Sequence, residues 1–380
     1  LPWPAAGTTA AVPPEADRPL SLKPALARIA TGATLDEAES EAAFSLVMDG
    51  HATPAQIAAL AMGLRVRGEA VSELIGAARA MRARMTRVAP VEGAVDVCGT
   101  GGDGHATLNV STAVAFVLAA LGVPVAKHGN RAVSSRAGAS DTLEALGLTL
   151  EADPAVLHDR LASLKLAFLA APLHHPAMRH AGPVRSELGI RTLFNLLGPL
   201  CNPAGVARQM VGVFDPAWQE PIARALASLG TTHAWVVHGE SGLGADRAGG
   251  LDELGLAGEN HVVTLESGRI GRFSFSADAL GLAMRPVSAI AGGTPAENAA
   301  ALERLLRGET GAYRDMVLLN AAAALQVGER ADALQMARAG CISPLAARIE
   351  SLRDGVAVAS RVLDDGAALA VLEALRRANR

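Results

Sequence analysis

The sequence predicts an α + α/β protein, in which a small all-helical N-terminal domain precedes a large α/β domain with a mainly parallel central sheet flanked by helices. Three observations carry this. Up to about Pro90, apolar residues recur three and four apart. Beyond it, short β-rich runs alternate with Ala-rich helical stretches. Half of the 380 residues are apolar, enough to bury a large core.

Taken in order, residues 1–20 ("LPWPAAGTTAAVPPEADRPL") are proline-rich and lack the basic start and apolar stretch of a signal peptide, so they read as a flexible arm. Residues 21–90 form the small helical domain, joined by helices expected from about 178–205. Its segments "LKPALARIATG", "LDEAESEAAFSLVMDG", "TPAQIAALAMGLRVRG" and "AVSELIGAARAMRARM" each have helical spacing. Gly32, Gly50 and Gly68 are stop signals, while Thr31, Thr34 and Thr53 with Pro54 mark loops or N-caps.

Residues 91–380 form the large domain. Its strand candidates are "AVDVCG", "VPVAKHG", "LAFLAAP", "RQMVGVFD", "HAWVVHG" and "HVVTLE". A helix is expected from about Ala113 to Leu121. The segments "AENAAALERLLRG", "MVLLNAAAALQVG" and the stretch from Pro344 onward are expected to pack as helices on the sheet.

A formal net charge of −4 with no Lys/Arg tract lacks the electrostatic footprint of a nucleic-acid binder. The apolar run Ala113–Ala126 contains Gly122 and Pro124 and is too short to span about 30 Å of hydrocarbon, so no membrane segment is expected. Cys98, Cys201 and Cys341 are isolated, without C-x-x-C spacing, which fits a reducing cytoplasm.

The stretch "VCGTGGDGHATLNVST" places a strand, a glycine loop and a helix start in the context phosphate sites use. Gly99, Gly101 and Gly104 match a dinucleotide fingerprint, but the next strand runs into Lys127 where a ribose-binding acid is needed. Gly99 and Gly104 also have Walker A spacing, yet His105 and Ala106 stand where Lys and Ser/Thr must reach phosphate and magnesium. Two readings stay open. One is a backbone cradle for a phosphorylated ligand, with Asp103 accepting from a ligand hydroxyl; the other is a tight turn capped by Asn109, Ser111 or Thr112.

A second loop, "KHGNRAVSSRAGASD", tips the balance. Lys127 and Arg131 supply charge, Ser134 and Ser135 supply hydroxyls, and Gly129 allows close approach, the mixture a pyrophosphate needs. A solvated basic loop is the plain alternative.

Together, "GTGGDG…NVST", "KHGNR", "HPAMRHAGPVRSELGIRTLFNLLGPLCNP" and "GLDEL" resemble the anthranilate phosphoribosyltransferase family of tryptophan biosynthesis, which has a nucleoside phosphorylase-like fold. The resemblance runs from about Leu20 to near the C-terminus. It implies that 5-phosphoribosyl 1-diphosphate is held by Gly99, Gly102, Asp103, Thr107, Asn109, Val110, Ser111 and Thr112. The second loop would hold the same ligand through Lys127, His128, Gly129, Asn130, Arg131, Ala132, Val133, Ser134, Ser135 and Ala139, where Ala139 replaces the family's more usual serine.

Anthranilate would meet Gly99, Asn130, His175 and Arg185, with Pro176 bordering its channel. Mg²⁺ is the implied cofactor, on Ser111, Asp252 and Glu253. Taken alone, an Asp-Glu pair in a loop reads as solvated surface and Arg185 as an exposed helix residue, but hard carboxylates suit Mg²⁺ and a guanidinium fork suits a carboxylate. The stretch "ESGLGADRAG" before Asp252 is longer than the family pattern and adds Asp246 and Arg247. His174 stands where the family more often has an aromatic residue. A homodimer through the helical domain is also implied. The rival readings are a pyrimidine-nucleoside phosphorylase and a non-catalytic nucleic-acid-binding relative.

Overall fold

A computed structural model describes residues 21–131, 137–242, 250–328 and 344–379. The arm 1–20, Ala132–Ser135, Asp246, Arg247 and Cys341 therefore lie outside the described residues.

The helical unit comprises α1 (Lys23–Ala30), α2 (Glu37–Met48), α3 (Pro54–Arg67) and α4 (Val71–Arg82). Local chemistry sets the helix starts. Asp36 with Glu39 and Thr53 with Gln56 form reciprocal capping boxes, and Pro54 opens α3 where no N–H is needed. Buried Glu73 on α4 accepts from the N–H groups of Leu35 and Ala70, each at 2.8 Å, and pairs with Arg67. A buried carboxylate satisfied this way ties the connection before α2 to the start of α4.

The large unit continues through β1 (Val95–Gly99), α5 (Val110–Ala120), β2 (Val125–Gly129), α6 (Ala139–Ala145), α7 (Pro154–Leu164), β3 (Leu166–Ala170), α8 (Ala171–His174), α9 (Gly182–Leu188) and α10 (Leu193–Leu197). It then runs through β4 (Arg208–Gly212), α11 (Gln219–Ser228), β5 (His233–Gly239), β6 (Glu259–Glu266), β7 (Arg269–Ser276), α12 (Pro295–Leu306), α13 (Ala312–Val327), α14 (Pro344–Asp364) and α15 (Ala367–Ala378).

The strands form one sheet in the order β3-β2-β1-β4-β5-β6-β7, parallel from β3 to β5 and antiparallel at β6 and β7. All six strand candidates are present. β7 is an addition: it returns from β6 through Ser267 and Gly268, both at positive φ, a hairpin turn whose residue pair was visible in the sequence. The helix after the glycine loop starts at Val110 rather than Ala113, and the C-terminal stretch divides at Gly366 into two helices.

One face of the sheet is covered by α5 and α13, with α14 and α15 packed outside them and α12 against α6 and α15, in a core around Phe116, Trp235 and Leu319. α5 is buried on all sides, which explains an apolar run too short to cross a bilayer. The other face receives α4 and α11, and its core continues into the helical unit through Phe44, Leu64, Leu226 and Val236. α9 packs on α3, and α10 packs on α3 and α4, with Phe194 edge-on to Phe44 at 5.5 Å. Residues between β3 and β4 thus bridge the helical unit and the sheet. Among the described residues no helix is long and apolar enough to cross a membrane.

Candidate active site

Strand order reverses between β1 and β4, and a cavity of about 630 Å³ opens at their carboxyl ends, the usual ligand crevice of an open α/β sheet. The loop Thr100–Asn109 leaves β1 on one side of it. Residues Asp252 and Glu253, beyond β5, close it from the other.

Glycine is required here by close approach. A Cβ on Gly99 would overlap the Asp252 carboxylate, and one on Gly212, at the end of β4, would overlap the Asp252 carbonyl. Gly212→Ala is expected to displace the acid loop and lower turnover by about a hundredfold, the cost of an ångström-scale misplacement, while the protein stays folded. Steady-state rates beside a thermal melt would check this; unchanged turnover would show that the packing of Asp252 on β4 is not needed.

The acids are caught in the loop's own donors. Asp252 Oδ2 accepts from the Gly101 N–H at 2.7 Å, and Glu253 Oε1 accepts from the Ser111 N–H at 3.2 Å. Burial, then the Asp103 and Glu253 charges, pushes the Asp252 pKa well up; burial raises Glu253 to about 7 against the opposing charge of Lys127. Two half-buried carboxylates beside the Ser111 hydroxyl, with the Lys127 charge acting on Glu253, are a hard oxygen donor set, which fits Mg²⁺. Asp103 Oδ1 accepts from the His105 N–H at 3.1 Å and lines the same cavity.

Lys127 does not project into solvent. It is buried beneath the loop, donating to the Val97 carbonyl at 2.8 Å and the Ser111 hydroxyl at 3.2 Å. Behind it sits a polar wedge that no local pattern of residues marks. Asp96 accepts from the His128 N–H at 3.0 Å and from Asn202 Nδ2 at 2.7 Å, and Asn202 also donates to the Ala126 carbonyl at 2.8 Å. These side chains occupy strand groups that would otherwise pair between β1 and β2, whose register is Val95↔Val125. Arg131 reaches the cavity rim, but its guanidinium is held by Asp141 at 3.0 Å and by Glu144 at 2.5 Å.

The Asn109 side chain does not cap its helix, contrary to one sequence reading. Its Oδ1 instead accepts from the Thr142 hydroxyl at 2.7 Å and Asn298 Nδ2 at 2.9 Å. Gly102, Thr107, Val110, Thr112, Gly129, Asn130 and Ala139 all line the cavity. Arg191, also absent from the sequence reading, stacks on Phe214 at 4.2 Å, and its Nε would lie 2.8 Å from a Cβ on Gly102.

The cavity's other end is built by α8 to α10. Arg185, His175, Pro176, Met178, Phe194 and Pro199 line it. Burial alone lowers the Arg185 pKa, its Nε is buried without a hydrogen-bond partner among the described residues, and its guanidinium lies 5.6 Å from the Phe194 ring centre. A desolvated cation of this kind is costly until a carboxylate meets it. Next to it, His128 Nδ1 must donate to the Gly198 carbonyl at 3.0 Å, so its bare Nε2 accepts from His175 Nε2–H at 3.1 Å. His174 is buried beneath, its Nδ1 donating to the Thr86 carbonyl at 2.9 Å, and lies outside the cavity lining.

Burial lowers His128 to about 4 and, with the neighbouring His128, lowers His175 to about 3. Both folded values lie below the unfolded value of about 6.5, so this pair's stabilisation is complete above that pH and is lost as pH falls towards 4. Protonation of Asp252 and Glu253, whose folded values are raised, opposes this in the metal-free protein. The direct check is NMR: the His128 and His175 ring signals are expected to stay in their neutral positions down to about pH 5. Titration near pH 6.5 would contradict the neutral relay.

The family model described as "Glycosyl transferase family, helical bundle domain" matches residues 23–85, and "Glycosyl transferase family, a/b domain" matches residues 91–369. The chain is 53% identical over 354 residues to the anthranilate phosphoribosyltransferase of Gluconobacter oxydans, covering 93% of this chain and 94% of that one. It is 50% identical over 351 residues to that of Paramagnetospirillum magneticum, covering 92% and 94%. The crystal structure of the Thermus thermophilus enzyme superimposes with a TM-score of 0.82 at 42% identity, covering 94% of this chain and 99% of that one. The fold is also shared with the Saccharomyces cerevisiae enzyme in complex with PRPP and Mg, at a TM-score of 0.80 and 24% identity, covering 94% and 97%. These likenesses run through both the helical and the α/β unit and displace the phosphorylase and nucleic-acid readings. With a glycine-and-acid loop at one end of its cavity and a guanidinium unpaired among the described residues at the other, the chain belongs to the anthranilate phosphoribosyltransferase family.

Proposed function

We propose that the cavity joins two substrates end to end, 5-phosphoribosyl 1-diphosphate along the glycine loop and anthranilate against Arg185, with Asn130 between them. The reaction is transfer of the 5-phosphoribosyl group from the diphosphate to the amine of anthranilate, with release of pyrophosphate. The half-buried guanidinium of Arg185, whose Nε has no hydrogen-bond partner among the described residues, carries the acceptor assignment, because it needs an anion and faces the same cavity as the loop.

Loop N–H groups bind the diphosphate, and Asp103 accepts from a ribose hydroxyl. Lys127 from beneath the loop and Arg131 from the cavity rim stabilise the leaving charge, Arg131 by exchanging its exposed pairs with Asp141 and Glu144 for the diphosphate. Asp252, Glu253 and the Ser111 hydroxyl would hold Mg²⁺, which when bound neutralises charge on the diphosphate. Arg185 fixes the carboxylate so that the neutral amine lies in line behind ribose C1. The amine is a competent nucleophile near pH 7, so no covalent enzyme intermediate is required. Ala132, Val133, Ser134 and Ser135 belong to the same donor site by the resemblance alone.

The chain is read as a helical unit of residues 21–90 joined by helices from about 178–205, and an α/β unit of residues 91–380. Two copies pair through the helical unit, supported by the exposed Met62 and Val66 on α3. Sedimentation of the parent against Val66→Asp tests that pairing. The buried free thiols of Cys98 and Cys201 support a cytoplasmic location.

Anthranilate fluorescence tests the function. Loss on adding 5-phosphoribosyl 1-diphosphate, dependent on Mg²⁺ and matched by pyrophosphate, is the expected result. Unchanged fluorescence with donor binding intact would refute the acceptor assignment.

A further inference from the structure

The glycine loop is braced by a segment to which the sequence assigned no role, the turn entering α12. The Leu108 N–H donates to the Ile290 carbonyl at 2.9 Å, the Gly292 N–H donates to the Ala106 carbonyl at 2.8 Å, and Thr107 bridges to Ala291. A chain of side-chain amides completes the brace.

Its direction can be read from one end to the other. The Gly293 N–H can only donate, so the atom 2.8 Å from it is the Asn298 carbonyl oxygen. Asn298 therefore turns its Nδ2 to Asn109, and Asn109 meets it at 2.9 Å with Oδ1. The Thr142 hydroxyl donates to that same oxygen at 2.7 Å. Both acceptor positions of the Asn109 side chain are then occupied, and what remains is its pair of N–H donors. The backbone of Asn109 is held as well, its carbonyl accepting from the Tyr313 hydroxyl at 3.1 Å. Asn298 and Thr142 are buried, whereas Asn109 lines the cavity.

We infer that Asn298, together with Thr142, is a positioning residue for the phosphoribosyl donor: it sets the orientation of the Asn109 amide so that N–H groups, and not the oxygen, are offered to the anionic ligand. The inference rests on the reading of Asn109 as part of the donor site.

The test compares Asn298→Asp, Asn298→Ala, Thr142→Val and Asn109→Ala for both Michaelis constants, for kcat and for thermal midpoint. The carboxylate introduced by Asn298→Asp would keep the bond from Gly293 but present an acceptor to Asn109, which must then rotate and turn its oxygen to the diphosphate. Asn298→Asp is expected to raise the donor KM by about ten- to a hundredfold, the scale of a charge-assisted hydrogen bond lost or reversed. Asn298→Ala should raise it less, and the anthranilate KM should stay within about twofold in both.

That order is the signature, because a merely structural role would make the isosteric variant the milder one. Thr142→Val adds no charge and should still raise the donor KM severalfold. If Asn298→Asp does not fold, Thr142→Val decides. An Asn298→Asp no worse than Asn298→Ala, an unaltered Thr142→Val, or equal changes in both Michaelis constants would overturn the inference. If Asn109→Ala itself leaves the donor KM unchanged, the donor-site reading of Asn109 has failed first.

Discussion

Replacing Asp252 and Glu253 together by alanine is expected to lower Mg²⁺-dependent turnover by about a thousandfold or more, because metal charge stabilisation supplies several kcal/mol to such a transition state. The structure adds a result that separates this from unfolding. Both carboxylates are desolvated, and burial drives both pKa values up, so in the metal-free protein they cost stability. The double variant should therefore melt no lower than the parent without Mg²⁺ and should lose the parent's stabilisation by added Mg²⁺. The isosteric pair Asp252→Asn with Glu253→Gln should behave alike. Normal turnover across a Mg²⁺ titration would remove these residues from the metal assignment.

Arg185→Ala carries the second large effect. The anthranilate KM is expected to rise by about a hundredfold, the scale of a bidentate charge-assisted contact, while the donor KM moves little. Arg185→Met should show the same kinetics with a raised thermal midpoint, since it keeps apolar contact with Phe194 and removes a desolvated charge whose Nε lacks a partner. Loss of activity with gain of stability is the pattern of a group held for its ligand. An unchanged anthranilate KM would refute the acceptor role, and a lowered midpoint in Arg185→Met would make Arg185 a structural cation.

Both variants concern residues whose chemistry was visible in the chain but whose setting was not. An Asp-Glu pair in a loop reads as solvated surface, and only the packing of Asp252 across Gly99 and Gly212 takes the pair half out of solvent. Arg185 in a short helix reads as exposed until α9 and α10 are seen on α3 and α4. The reverse holds for Arg131, which reads as a phosphate ligand yet is clasped by Asp141 and Glu144. β7 carries no clear strand pattern although Ser267–Gly268 marks its turn, because the strand mixes arginine and glycine with its phenylalanines and buries few of its residues.

Local chemistry determined a good deal by itself. Apolar periodicity, capping residues and turn glycines announce the helical unit, the strand–helix alternation and the phosphate-type loops, since each depends on neighbours a few residues away. Only the tertiary structure decided which groups are desolvated and which way a polar group faces. Lys127 beneath the loop, Asp96 and Asn202 between β1 and β2, and Asn298 turning the amide of Asn109 join residues from distant parts of the chain. A pKa or an amide orientation is set by everything within a few ångströms in space, and nothing in the order of residues records who those neighbours are.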